Sequence, residues 1–108
     1  MTINYLFVYG TLKPGYEAHH FFDQIPGTWS DAYCFGNWID DNDIGYPIIS
    51  LDTKGEKIRG KLFHSNKLKN IIKKIDEYEG EEYKRVIAKI HLNKRSSVQA
   101  FVYEKKDK

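Results

Sequence analysis

Apolar positions in this chain fall into short runs of period two, punctuated by glycine- and proline-bearing turns, with one stretch that switches to a helical period. Ile3 to Tyr9 is β-branched and aromatic almost throughout and stops at Gly10-Thr11-Leu12-Lys13-Pro14-Gly15, which predicts a buried strand running into a loop. Glycine frees the dihedrals of such a loop and proline fixes its exit, so it can bring backbone amides close to a ligand. Glu17 to Gln24 predicts a short helix with Ala18, Phe21 and Phe22 on its apolar side, ended before Pro26-Gly27. Thr28 to Ile39, with Trp29, Tyr33, Phe35 and Trp38, predicts extended chain with a bulge or bend at Gly36. Asp40-Asp41-Asn42-Asp43 reads as a solvated turn, and Tyr46-Pro47-Ile48-Ile49 as a strand start at a sheet edge.

After a turn at Lys54-Gly55-Glu56, residues 57–63 alternate polar and apolar, predicting a half-exposed strand. Ser65 then stands where it can cap a helix whose apolar stripe is Leu68, Ile71, Ile72 and Ile75, running to about Tyr78 and broken by Gly80. Tyr83 to Leu92 and Val98 to Tyr103 alternate on either side of Asn93-Lys94-Arg95-Ser96-Ser97, predicting an antiparallel pair. About six strands and two helices in so short a chain predict an α+β fold: a small mixed β-barrel with flanking helices.

Composition narrows the class. With 108 residues, 41% hydrophobic and 30% charged, the chain has the profile of one compact domain, residues 1–108, and needs no disulfide or metal to hold it. Cys34 is the single cysteine, which excludes an internal disulfide framework and makes a reducing, cytoplasmic setting the expectation. No apolar run approaches bilayer-spanning length, and Met1-Thr2-Ile3-Asn4 lacks the basic start of a leader, so no membrane association is expected. The net charge of +2 hides an asymmetry. Through Thr53 one basic residue, Lys13, faces seven acids; from Lys54 sixteen Lys and Arg face eight acids. Basic residues on the solvent faces of one helix and two strands account for this. The alternative, nucleic-acid binding through the basic half, lacks a recognition motif, and no nucleic-acid partner is expected.

Two segments carry candidate chemistry: the strand end Phe7-Val8-Tyr9-Gly10-Thr11-Leu12, and the helix end from Asp76 through Glu79-Gly80 to Tyr83-Lys84-Arg85. Read alone, Glu79 is better explained as a solvated helix-end carboxylate among Glu77, Glu81 and Glu82. Other candidates fail on spacing. Asp41, Asp43 and Gly45 lack the ligands of a calcium loop, adjacent His19 and His20 cannot share a helix face, His64 and His91 stand alone, and Cys34 has no activating neighbour. No metal and no cofactor is expected.

Val8 to Leu12, Pro14-Gly15, Gly45-Tyr46-Pro47, Ile75 to Gly80, Tyr83-Lys84-Arg85 and Val102-Tyr103, in this order, resemble the motifs of the gamma-glutamylcyclotransferase-like proteins, including the gamma-glutamylamine cyclotransferase branch. The resemblance spans nearly the whole chain. It implies a small mixed β-barrel, Glu79 as general acid/base, and Tyr9, Gly10, Thr11 and Leu12 as the substrate-binding loop. Tyr83 either lines the pocket or fills the core. Asp76 is expected to be structural, Arg85 to pair with an acid, and Tyr103 to reach the pocket only if its side of the strand faces inward. The implied reaction converts a gamma-glutamyl amine or small peptide to 5-oxoproline and a free amine, by a monomer or homodimer. A barrel that keeps the pocket and only binds a small anionic metabolite is the alternative from another class.

Overall fold

The segment 5–8 is apolar at every position because it is buried on both sides. In the computed structural model, which describes residues 2–9, 17–39, 48–81 and 83–105, strand β1 (Tyr5–Val8) lies between β4 (Glu56–His64), antiparallel, and β6 (Ser97–Lys105), parallel. Leu6 and Val8 point to one side, Phe7 and the following Tyr9 to the other, and all four are 8% exposed or less. Such a strand reads as a continuous hydrophobic run rather than an alternation.

Five strands close into a barrel in the order β2 (Thr28–Trp38), β4, β1, β6, β5 (Tyr83–His91), and the ring is completed where Tyr33 of β2 pairs with His91 of β5. A sixth strand, β3 (Ile49–Leu51), extends the sheet beside Gly36–Trp38 of β2. Phe7, Tyr9, Ala32, Cys34, Ile58, Leu62, Ile90, Ala100 and Val102 fill the barrel. Cys34 is buried among them, as a small apolar residue would be, and burial pushes its thiol up to about 12.

The outer side of β1 and its neighbours is covered by the helices. Leu68, Ile71, Ile72 and Ile75 form the expected stripe and pack with Phe22 on Leu6, Val8, Phe63 and Tyr103. Each isoleucine so buried stabilises the fold by about 1.5–3 kcal/mol. The Ser65 hydroxyl accepts from the Lys67 N–H at 3.0 Å, a 3-10 turn follows at Leu68–Asn70, and the α-helix α1 covers Ile72–Glu79. Glu17–Gln24 is helical as expected, but as a 3-10 helix. The break after Glu79 falls at Gly80, whose φ of 80° lies in the region that favours glycine, and its N–H closes α1 on the Asp76 carbonyl at 3.2 Å.

The expected bulge at Gly36 gives way to an unbroken ladder: β2 pairs with β4 from Thr28 to Gly36 and with β3 from Gly36 to Trp38. A Cβ at Gly36 would sit 2.7 Å from the Ser50 carbonyl oxygen of β3 and 3.3 Å from the Ile58 side chain, and the backbone crosses β2 at the same place. The chain leaves β3 opposite Gly36, passes over β2 through residues 52–55 and enters β4 opposite Gly36 on its other side. There Gly55 lies directly on Gly36, so a Cβ at Gly55 would sit 2.5 Å from the Gly36 carbonyl oxygen. Backbone, not a flexible side chain, opposes it. We therefore expect Gly55→Ala to lose about 2 kcal/mol of stability, within the range for overpacking, seen as a clear fall in thermal midpoint; a midpoint equal to the parent's would show that the crossing relaxes freely.

Candidate functional site

The parallel pairing of β1 with β6 carries both strands out at the same end of the barrel, and α1 and β5 meet them there. Tyr9, just beyond β1, turns its ring into the barrel interior against Trp38, with ring centroids 5.8 Å apart. Its hydroxyl donates to the Tyr103 carbonyl oxygen at 2.6 Å and accepts from the Ile49 N–H. Burial chiefly, then the proximity of Tyr83 and Glu79, raises its pKa far above the ordinary phenol range. With both hydrogen-bonding functions engaged, Tyr9 is a fixed wall rather than a proton carrier.

Glu79 closes α1 at this rim. It is half-buried, and among the described residues it makes no hydrogen bond or ion pair. Burial alone pushes its pKa from 4.5 up to about 7. The carboxyl is therefore poised between its two protonation states near neutrality, the condition under which one group can both take and return a proton.

The structure thus brings together three of the sequence-derived candidates: Glu79, Tyr9 and Tyr83, the first residue of β5, which interacts with Tyr9 electrostatically. Tyr83 also packs against the outer core, one of the two roles left open for it. Gly10, Thr11 and Leu12 lie outside the described residues, as do Pro14-Gly15, Gly45-Tyr46-Pro47 and the acidic run 40–43.

Three further residues reach the same rim. Tyr103 faces outward, under the helices, rather than inward. Its hydroxyl donates to Asp76 Oδ1 at 2.6 Å, and Arg85, opposite Tyr103 in the β5–β6 ladder, places Nη2 3.4 Å from Asp76 Oδ2. Arg85 does pair with an acid, and Asp76 serves side chains from two strands. Burial first, then the bond to Asp76, raises the pKa of the Tyr103 hydroxyl. The one signal for this cluster was the closeness of Asp76 to Glu79; that Arg85 and Tyr103 lie opposite each other depends on a strand register that no local pattern reveals. No three His, Cys, Asp or Glu side chains among the described residues are arranged to hold a metal ion, and no helix there is long and apolar enough to cross a membrane.

A carboxyl whose folded pKa is raised costs stability once it ionises. The folded state holds the Glu79 proton up to about pH 7 while the unfolded chain releases it near 4.5, so stability is full below the lower value and falls as pH rises through the upper one. Glu79→Gln removes this loss. The variant is expected to exceed the parent by about 2 kcal/mol in urea unfolding at pH 8 and by much less at pH 4.5. A stability difference independent of pH would mean that Glu79 titrates as an ordinary surface carboxylate.

The comparisons with known proteins agree with this architecture. The structure superimposes on that of an AIG2-like protein (GGACT) from Mus musculus with a TM-score of 0.73 and 22% sequence identity, covering 96% of this chain and 78% of that one. YkqA from Bacillus subtilis gives the same TM-score and identity, over 96% of this chain but 36% of its own length. A solution structure from Arabidopsis thaliana follows at TM-score 0.67 and 24% identity, covering 97% and 70% of the two chains. These likenesses establish the fold. No curated protein matches the sequence. The family model described as gamma-glutamyl cyclotransferase, AIG2-like, matches residues 6–108, and the chain, barrel, helix end and all, belongs to that family.

Proposed function

We propose that this protein is a gamma-glutamylcyclotransferase-type enzyme that converts a gamma-glutamyl amine or small gamma-glutamyl peptide to 5-oxoproline and a free amine. The observation that carries this reading is Glu79: a half-buried carboxyl without a hydrogen-bonding or charged partner among the described residues, raised to about 7, at a tyrosine-walled rim. A carboxylate kept for structure is ordinarily paired or solvated.

The chemistry needs little else. The substrate's α-ammonium first loses a proton to solvent. The free α-amine nitrogen attacks the γ-carbonyl carbon, forming the ring C–N bond and an oxyanion, and Glu79 takes the proton that the attacking nitrogen sheds. Collapse of the oxyanion breaks the bond to the leaving nitrogen, which receives that proton from Glu79 and later a second from solvent. Glu79 ends as it began. Gly10, Thr11 and Leu12 form the substrate-binding loop in this reading, with their backbone amides available to the α-carboxylate or the oxyanion. Tyr9 and Tyr83 provide the walls. Because the ring is five-membered, holding the substrate folded supplies much of the effective concentration.

The test is 5-oxoproline release from a panel of gamma-glutamyl amines, the lysine isopeptide, dipeptides and amino-sugar conjugates. The wild type is expected to release 5-oxoproline from at least one, with the fall of kcat/KM on acidification steepening below about pH 7 by a further tenfold per pH unit, as Glu79 becomes protonated in addition to the substrate's α-amine. Glu79→Gln is expected to lose at least ~10²-fold in kcat, the usual contribution of a positioned acid/base. Full activity in that variant removes Glu79 from the mechanism, and silence across the panel with gamma-glutamyl ligands still bound identifies a binding protein instead.

A further inference from the structure

We propose that Asp76, held by the Tyr103 hydroxyl and the Arg85 guanidinium, is the positioning device that fixes the last turn of α1 and with it the place of Glu79. The proposal rests on the reading of Glu79 as the acid/base. α1 has eight residues, Ile72–Glu79, too few to persist on intrinsic propensity, so each turn must be held by its surroundings. The first turn is anchored by Ile72 and Ile75, buried against the barrel. In the last turn Glu77 is exposed, and Tyr78, 41% exposed, meets Phe21 edge-on.

Asp76 supplies the polar attachment of that turn. It stands three residues before Glu79, on the same face of the helix, and both carboxylate oxygens are engaged, by Tyr103 Oη at 2.6 Å and Arg85 Nη2 at 3.4 Å. Two strands thus hold one side chain. The carbonyl of the same residue takes the Gly80 N–H, so Asp76 also closes the helix behind Glu79. Tyr103 then links this cluster to the opposite wall, because its own carbonyl accepts the Tyr9 hydroxyl at 2.6 Å. The guanidinium of Arg85 lies over the Phe101 ring, 4.6 Å from its centroid, which fixes the cation toward Asp76. The groups that interact electrostatically with Glu79 are Tyr9, just beyond β1, and Tyr103 from β6; Tyr83 from β5 acts on Tyr9, and Asp76 and Arg85 are joined to Tyr103 through the Asp76 carboxylate.

The substitution that isolates the device is Tyr103→Phe, which keeps the packed ring and removes one oxygen. Its readout is the Glu79 carboxyl titration followed by carbon NMR, with 5-oxoproline kinetics alongside and Ile90→Val, a barrel-interior change at the end of β5 away from Tyr83 and Arg85, as a control for general destabilisation. Freed from Asp76, the last turn admits water around Glu79. The midpoint is expected to move down by at least one pH unit from about 7, kcat to fall about tenfold with KM within threefold, and Ile90→Val to leave both where they were. In the Glu79→Gln background the added Tyr103→Phe should cost no further activity. A lowered melting point in Tyr103→Phe with the wild-type Glu79 midpoint would overturn the proposal and leave the cluster a structural contact. If the wild type releases no 5-oxoproline, the enzymatic reading fails by itself, while the titration still decides whether Asp76 and Tyr103 set the environment of Glu79.

Discussion

The burial of β1 on both faces is the constraint around which the molecule is arranged. Phe7 and Tyr9 need a closed barrel to cover them, and Leu6 and Val8 need a layer outside it. A single sheet could satisfy one of these demands. Satisfying both requires the five-stranded ring on one side and the stripe of Leu68, Ile71, Ile72 and Ile75 on the other. The parallel β1–β6 pair at the centre then delivers two strand ends to one rim, and the helix that seals the outer layer ends at the same place.

That rim is where the two cores meet, and it explains why polar chemistry is concentrated there. Tyr9 belongs to the interior and Tyr103 to the outer layer, yet a hydrogen bond from hydroxyl to carbonyl joins them. Elsewhere the barrel is sealed by alternation of apolar and polar side chains. At the rim the strands run out, the backbone groups of β3 are met by side chains, and Leu51 N–H donates to the Glu104 carboxylate at 2.9 Å as Ile49 N–H does to Tyr9. Side-chain hydrogen bonds stand in for a missing strand.

Against this background of satisfied groups Glu79 stands apart. Asp76, three residues earlier, has both oxygens engaged, whereas Glu79 has neither bonded among the described residues. Equal chemistry at neighbouring positions therefore has unequal physical consequences: one carboxylate is bonded to a guanidinium and a hydroxyl, while the anionic form of the other is destabilised by desolvation. Retaining the second at a cost in stability is the usual mark of a group kept for function.

Much of this was legible from residue order alone. Local periodicity predicted strands at 3–9, 57–63, 83–92 and 98–103, found at 5–8, 56–64, 83–91 and 97–105, together with the isoleucine stripe and the stop at Gly80, because each depends on neighbours within a few residues. The order of motifs along nearly the whole chain, through the family resemblance, pointed to Tyr9 and Glu79 as candidates. What only the tertiary structure decided depends on residues distant in sequence: that Gly36 packs against the β3 backbone within an unbroken ladder, that Tyr103 faces the helix, and that Arg85 lies opposite it to grip Asp76. Strand register and burial set these, and they in turn set the protonation of Glu79. A carboxylate followed by glycine can be read in a sequence; the burial that raises its pKa exists only once the chain has folded around it.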